Sequence, residues 1–278
     1  IFDKTQYPQK SSIMKICMMS CMMGGYPVEK IVSTAVACGM SAIDWVDLHG
    51  HTAKELRRLC DDAGLPIAAH TSCKKDFVHR QSNALDEFRA SLEDAVTLDA
   101  PVLMIPPFPR DGQTSLAEER KEYAEFYAEA CPLAIAAGVT LTLESTGYGN
   151  SAIVGAEECL EILNQVPGLR VTFDPGNVAT LEDPLIAYDR LKKYIVHHHF
   201  KDWQFSPTPH PGFVRVRSGK FVKNTLIGTG EVPLRALWEK MDEQHRALPV
   251  NLETRDFDGN KTPEEVYQKL VHEMKSWE

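Results

Sequence analysis

The chain lacks any apolar run approaching the roughly 18 residues that a membrane-spanning helix needs. Positive charge is also scarce: 30 Lys and Arg against 39 Asp and Glu leave a formal charge of −9. A nucleic-acid backbone as main partner needs a basic footprint, so this balance argues against it. A local basic pocket for a phosphorylated small molecule is still allowed. Regular cysteine spacing is missing too. The seven cysteines, at 17, 21, 38, 60, 73, 131 and 159, are an odd and irregular set. They read as free thiols in a reducing, cytoplasmic setting, not as a disulfide framework. Cys17 and Cys21 are too isolated a pair to make a zinc site. The chain starts at Ile1, which leaves open an upstream signal segment that has been removed. No linker or low-complexity stretch divides residues 1–278, so a single domain is expected.

What is present is alternation. Apolar content is 43% and charged content 25%, ample for one sizeable core. Short β-like runs cover Ser12–Met19, Ser41–Leu48, Pro66–His70, Pro101–Ile105, Val139–Glu144, Leu169–Asp174, Tyr194–Phe200 and Pro249–Glu253. Amphipathic helical patterns follow each. Thr52 with Glu55, Ser115 with Glu118 and Thr262 with Glu265 predict capping boxes, and Gly39, Gly64 and Gly138 predict helix stops. Eight strand–helix units give an α/β fold, a closed (β/α)8 TIM barrel with apolar layers filling its interior. An open doubly wound sheet is the alternative. No G-x-G-x-x-G follows the first strand to support a dinucleotide site in such a sheet.

One connection is long. Between Asp202 and Pro233 the chain carries Pro207-Thr208-Pro209-His210-Pro211-Gly212 and the alternating Phe213-Val214-Arg215-Val216-Arg217. Ser218-Gly219-Lys220 predicts a hairpin turn, making residues of about 203–228 a lid over the strand ends.

Polar residues close several strands: His70 the third, Glu144 the fifth, Asp174 the sixth, His199 the seventh and Glu253 the eighth. In a barrel the carboxyl ends of the strands form the active site. Three carboxylates gathered at one mouth repel unless a cation holds them. Three acids and a histidine form an oxygen-rich set that suits Mn²⁺ or Mg²⁺ better than a structural zinc site. In the run His197-His198-His199, strand alternation places His197 and His199 on one face and His198 on the other.

Leu143-Glu144-Ser145, Phe173-Asp174-Pro175-Gly176-Asn177, His198-His199-Phe200-Lys201-Asp202, Gly228-Thr229-Gly230-Glu231-Val232 and Leu252-Glu253 occur in that order. Together they resemble the xylose isomerase-like superfamily of barrels. This is the group of sugar phosphate isomerases and epimerases, with ketose 3-epimerases, hydroxypyruvate isomerases and inosose dehydratases among its members. The resemblance covers nearly the whole chain and is strongest from the fifth strand onward. It implies Glu144, Asp174, His199 and Glu253 as ligands of one divalent ion, with Mn²⁺ preferred and Mg²⁺, Co²⁺ or Zn²⁺ as alternatives. It further implies Glu144 and Glu253 as the acid/base pair on either side of the substrate carbon. His197 is expected to support His199 from deeper in the barrel.

The chain also departs from the epimerase pattern. Asn177 stands where several epimerases carry a substrate-binding His, and Asn150 where ketose epimerases often carry a Glu. Asn binds a sugar hydroxyl but does not shuttle protons near neutral pH. Further substrate-binding candidates are His70, Lys201, Trp203 and Arg215. Each has a structural alternative: a core histidine for His70, an ion pair with Asp202 for Lys201, packing for Trp203 and a solvated face for Arg215. The expected function is metal-dependent isomerisation or epimerisation of a sugar, sugar phosphate or oxidised sugar. A dehydratase or 3-keto-glycoside lyase using the same enolate chemistry is one alternative, and a non-catalytic sugar-binding barrel another. The partner is a small carbohydrate, with no nucleic acid and no membrane, and homo-oligomerisation is open. The related apurinic-site endonucleases use a histidine-rich cluster of several zinc ions, which this chain does not reproduce.

Overall fold

The structure is a computed structural model and describes residues 14–74, 83–108 and 114–278. The start of the first apolar run, at Ser12, lies outside the described residues. Eight parallel strands close into a barrel: β1 (Lys15–Met19), β2 (Ala42–Val46), β3 (Ile67–Thr71), β4 (Val102–Ile105), β5 (Thr140–Glu144), β6 (Arg170–Phe173), β7 (Ile195–Phe200) and β11 (Pro249–Leu252). β1 pairs with both β2 and β11, which seals the ring. The open-sheet alternative is thereby excluded.

Helices wrap the outside: α1 (Val28–Ala37), α2 (Ala53–Ala63), α3 (Ala84–Thr97), α4 (Leu116–Ala136), α5 (Ala156–Leu163), α7 (Pro184–Leu191), α8 (Leu234–Lys240), α9 (Glu243–Arg246) and α10 (Pro263–Lys275). Their starts follow local chemistry. Thr52, Ser115 and Thr262 each accept from the backbone three residues on, while Glu55, Glu118 and Glu265 reach back to the cap. Gly64 ends α2 in the left-handed conformation, with φ of 64°. A five-residue helix, α6 (Pro175–Ala179), follows the sixth strand directly and has no counterpart in the helical periodicity.

The apolar core lies between barrel and helices. Ile16, Ile43, Trp45, Leu103, Leu141, Leu143, Phe173, Phe200 and Leu252 belong to one buried cluster with the helix faces. Strand alternation then turns the intervening residues inward. Here the expectation of apolar interior layers fails. Asp44, Thr71, Thr142, Thr172, His197, His199 and Asn251 are buried; hydrogen bonds or ion pairs join all but His197 across the strands, and His197 meets the His199 ring within β7. Polar side chains are thus mixed with apolar ones inside this barrel, and both His197 nitrogens, Asp44 Oδ1 and Asn251 Oδ1 have no hydrogen-bond partner.

After β7 the chain forms a separate antiparallel sheet of β8 (Asp202–Ser206), β10 (Phe221–Thr225) and β9 (Val214–Arg215). The turn expected at Ser218–Lys220 is present: Val216 N donates to Lys220 O at 2.9 Å, and Gly219 takes a φ of +85°. Among the described residues no helix is long and apolar enough to cross a membrane.

Candidate metal centre and barrel mouth

Glu144 is the last residue of β5, Asp174 follows β6, His199 is the penultimate residue of β7, and Glu253 follows β11. In a parallel barrel all four therefore reach the same mouth. His199 Nδ1 lies 2.7 Å from Glu144 Oε1. Single ligand atoms from Glu144, His199 and Glu253 all lie within 4.8 Å of one another, a spacing that fits one ion.

Asp174 is held by the start of α6. Its Oδ1 accepts from Gly176 N at 2.8 Å and Asn177 N at 3.1 Å, the ordinary duty of an N-cap. Pro175 suits the first helical position because it has no N–H to leave unsatisfied. Gly176 is required by crowding, since a Cβ there would strike the side chain and carbonyl of Lys201. Capping uses one carboxylate oxygen and leaves Oδ2 free. Glu144 Oε1, Asp174 Oδ2 and His199 Nδ1 are all buried, and their partners are charge contacts only: Glu144 Oε1 with His199 Nδ1 at 2.7 Å and Asp174 Oδ2 with Lys201 Nζ at 3.5 Å. Two carboxylate oxygens and an imidazole nitrogen, buried together with only these contacts, are a donor set that a divalent cation would satisfy.

Lys201 is the buried cation of the mouth. Its Nζ lies 2.5 Å from Glu253 Oε1, 3.5 Å from Asp174 Oδ2 and 3.2 Å from Asn177 Oδ1. It also sits 5.0 Å from the centroid of the Tyr148 ring. Burial alone would lower its pKa, but Glu253 and Asp174 overcome this and hold it well above the usual lysine value. Burial pushes the Asp174 carboxyl up to about 7, against the opposing pull of Lys201 and with the help of Glu253 and Glu144. For His199 burial works downward, and Glu144 and Asp44 outweigh it, holding the ring well above its usual value. His197, buried without a carboxylate at bonding distance, is pushed down to about 4 and stays neutral.

The predicted ion pair between Lys201 and Asp202 does not form. Asp202 instead receives backbone amides on both oxygens: Oδ1 from Trp203 at 2.9 Å and Val232 at 3.0 Å, Oδ2 from Gly228 at 3.0 Å and Gly230 at 2.9 Å. This accounts for Gly-Thr-Gly-Glu-Val at 228–232. A Cβ on Gly230 would collide with the Asp202 carboxylate and with Trp203 O.

A cavity of about 150 Å³ opens over the mouth, and Glu144, Glu253, Lys201, Asn177, Tyr148 and Thr146 are among the residues lining it. Of the predicted substrate contacts, Asn177 and Lys201 therefore face the cavity. His70 does not: its Nδ1 bonds the Trp45 carbonyl at 2.8 Å, on the strand face opposite Thr71, which lines the cavity. Trp203 is fully buried, donates Nε1–H to Gly176 O at 2.8 Å and meets Tyr148 edge-on, so its role is packing. Asn150 and Arg215 are exposed and are not among the lining residues. Tyr148, Cys21 and Cys73 line the cavity without having been singled out. Tyr148 lies in a loop and carries no signal in a single sequence. Burial raises the Cys21 and Cys73 thiols, which keeps both protonated and unreactive.

A closed parallel barrel with Glu, Asp, His and Glu at the carboxyl ends of its fifth to eighth strands defines a class of site as well as a fold. The chain belongs to the xylose isomerase-like TIM barrel family, whose model matches residues 32–277. Solved structures agree. The chain is similar to the IolI protein with a bound zinc atom at 17% identity and a TM-score of 0.75, covering 95% of this chain and 96% of that one. It is similar to the 3-keto-D-glucoside 4-epimerase YcjR from E. coli at 16% identity and a TM-score of 0.72, covering 95% and 99%. The probable 3-DHS dehydratase AsbF from Bacillus anthracis matches at 18% identity and a TM-score of 0.69, covering 94% and 98%. At these identities the likeness establishes the fold. A comparison with curated protein sequences finds no match.

Proposed function

We propose that the protein is a divalent-metal-dependent isomerase or epimerase of a sugar, sugar phosphate or oxidised sugar. Glu144, Asp174, His199 and Glu253 hold the ion, and Glu144 and Glu253 move the proton. The observation that carries this reading is the meeting of ligand atoms from Glu144, His199 and Glu253 within 4.8 Å of one another at the mouth, beside the Asp174 carboxylate. A bound divalent ion would polarise a ketone and its neighbouring hydroxyl and so acidify the proton between them. Mn²⁺ is the preferred ion because the donor set is rich in carboxylate oxygen. The remaining steps belong to the chain. One glutamate removes the proton from the α-carbon and the other returns a proton on the opposite face, each role contributing about 10²–10⁴ in rate. Lys201 stabilises negative charge developing on the substrate oxygen. Asn177 and the Tyr148 ring, both on the cavity wall, orient the sugar.

Elimination of water or an alcohol is the second reading, and Lys201 favours it. Its N–H donors stand in the same mouth as the two glutamates and can hydrogen-bond a departing oxygen, a need that epimerisation lacks. The test is mass spectrometry after incubating Mn²⁺-loaded protein in D₂O with ketoses, ketose phosphates and 3-keto-glycosides. Deuterium entering one substrate, and lost in both Glu144→Gln and Glu253→Gln, is the expected result. Conserved product mass then identifies the epimerase or isomerase, and loss of water or of an aglycone identifies the lyase. No exchange with any sugar despite a filled metal site would sink the two-glutamate mechanism for those substrates.

A further inference from the structure

Below the mouth lies a carboxylate that the proton-transfer scheme does not use. Asp44 sits in the middle of β2, facing into the barrel and shut off from solvent. Its Oδ2 accepts from Thr71 Oγ1 at 2.9 Å and from Asn251 Nδ2 at 2.6 Å, and lies 3.3 Å from His199 Nε2. Those three partners come from β3, β11 and β7, so a single oxygen ties three further strands to β2. Asn251 Nδ2 also lies 3.2 Å from His199 Nε2; an amide N–H does not bond a protonated ring nitrogen, so with the proton on Nε2 the acceptor left for both groups is Asp44 Oδ2. The other ring nitrogen, Nδ1, is the one that faces the mouth, 2.7 Å from Glu144 Oε1.

An imidazole that ligates through one nitrogen must carry its proton on the other, and the group that accepts that proton's hydrogen bond selects the tautomer and fixes the ring plane. We propose that Asp44 is a positioning residue. It accepts the Nε2–H of His199, so that the Nδ1 lone pair is presented to the ion bound by Glu144, Asp174 and Glu253. This inference rests on the metal-dependent reading above and assigns how this chain prepares its histidine ligand. Asp44, His197 and His199 could also be read as a second, deeper metal site, since their atoms lie within 4.8 Å of one another. The geometry favours positioning. Asp44 Oδ1 and both His197 nitrogens lack hydrogen-bond partners, but the Asp44 oxygen nearest His199 is already filled by a hydroxyl and an amide donor, and Asp44 and His197 are shut off from solvent while Glu144 and Glu253 open onto the cavity.

Two measurements decide. In ¹⁵N-labelled, Zn²⁺-loaded wild-type protein, with His199 assigned through His199→Asn, the proton is expected on Nε2 and the metal-shifted resonance on Nδ1. The reverse pattern would overturn the assignment without any Asp44 variant. Asp44→Asn keeps the shape and removes the charge. Its affinity for Mn²⁺ and Zn²⁺, measured by competition with a chelating dye, is expected to fall about 10- to 100-fold, with the circular dichroism of the chelator-treated protein unchanged. Wild-type affinity in Asp44→Asn would refute the positioning role while leaving the proposed function standing. A second equivalent of metal in the wild type, lost in His197→Asn, would also refute it by making Asp44 a ligand. A wild-type protein that binds no divalent ion would instead bring down the metal-dependent reading itself.

Discussion

The barrel mouth and the root of the β8–β10–β9 sheet each contain a buried aspartate, and the two have opposite fates. Asp202 has both oxygens saturated by backbone amides from Trp203, Gly228, Gly230 and Val232. It welds the start of the insertion to the loop that returns to the barrel. Asp174 has one oxygen saturated by the first turn of α6, and the other receives no backbone amide and meets only the Lys201 ammonium at 3.5 Å. Both are desolvated and both are raised by burial. A saturated carboxylate is a structural tie. A half-saturated one is a charge kept ready for something the chain does not itself supply.

The largest effect expected from this contrast is in metal binding. Asp174→Asn should abolish detectable binding of Mn²⁺ or Zn²⁺ in equilibrium dialysis, yet leave the melting temperature of chelator-treated protein at neutral pH at or above the wild-type value, because a buried ionised carboxylate is removed. Asp202→Asn should do the reverse. It turns an oxygen that accepts two amides into a donor, at a cost of about 1–3 kcal/mol for each buried group left unsatisfied. A lower melting temperature with metal affinity within a fewfold of the wild type is the expected reading. If the two variants behaved alike, the distinction between tie and ligand would be lost.

A smaller effect should appear with pH. The Asp174 carboxyl is raised to about 7 in the folded, metal-free protein, above the ordinary carboxylate value that it regains on unfolding. Its stabilising contribution is therefore complete below about pH 4 and is lost as pH rises through about 7. Chelator-treated wild type should lose stability relative to Asp174→Asn as pH rises over that interval, in urea unfolding at a series of pH values; a wild type that holds or gains stability relative to the variant would contradict burial as the dominant cause. Asp202, also raised by burial but pulled back by its four amides, should show the same sign with a weaker slope.

The smallest expected effect concerns the exposed edge of the insertion. Arg215, on the outer strand β9, stands in solvent, and Arg215→Ala should leave KM for the proton-exchanged substrate within about twofold, as surface changes usually do. A tenfold rise would place this edge over the bound sugar and give the insertion the lid role expected from its length.

Much of the fold was legible because its signals are local. A capping box needs only Thr52 and Glu55, and a strand end needs only an apolar run closed by an acid, as in Thr140–Glu144. The four mouth residues were legible for the same reason: each closes a run, and parallel closure carries all such ends to one place. The α6 turn was not, because five residues are too few for a helical period to register. Asp44 could have been noticed as an acid in the middle of Ala-Ile-Asp-Trp-Val. Nothing in that pattern says that its partners come from β3, β7 and β11. His70 shows the converse, since a polar strand end drew attention and the alternation of the strand turned it outward to the Trp45 carbonyl.

The sequence by itself determined the eight barrel strands, the long helices between them, and which acids and histidine stand at the strand ends. These follow from hydrophobic period and from groups a few residues apart. Tertiary structure alone decided which oxygen of Asp174 receives no backbone amide, that Lys201 turns to Glu253 and not to its neighbour Asp202, and that three adjacent histidines part. His199 is flanked by the Asp44 and Glu144 carboxylates, while His197 and His198 are kept neutral by burial. Each of those outcomes depends on charge and desolvation across strands far apart in the chain, and such distances exist only once the barrel has closed.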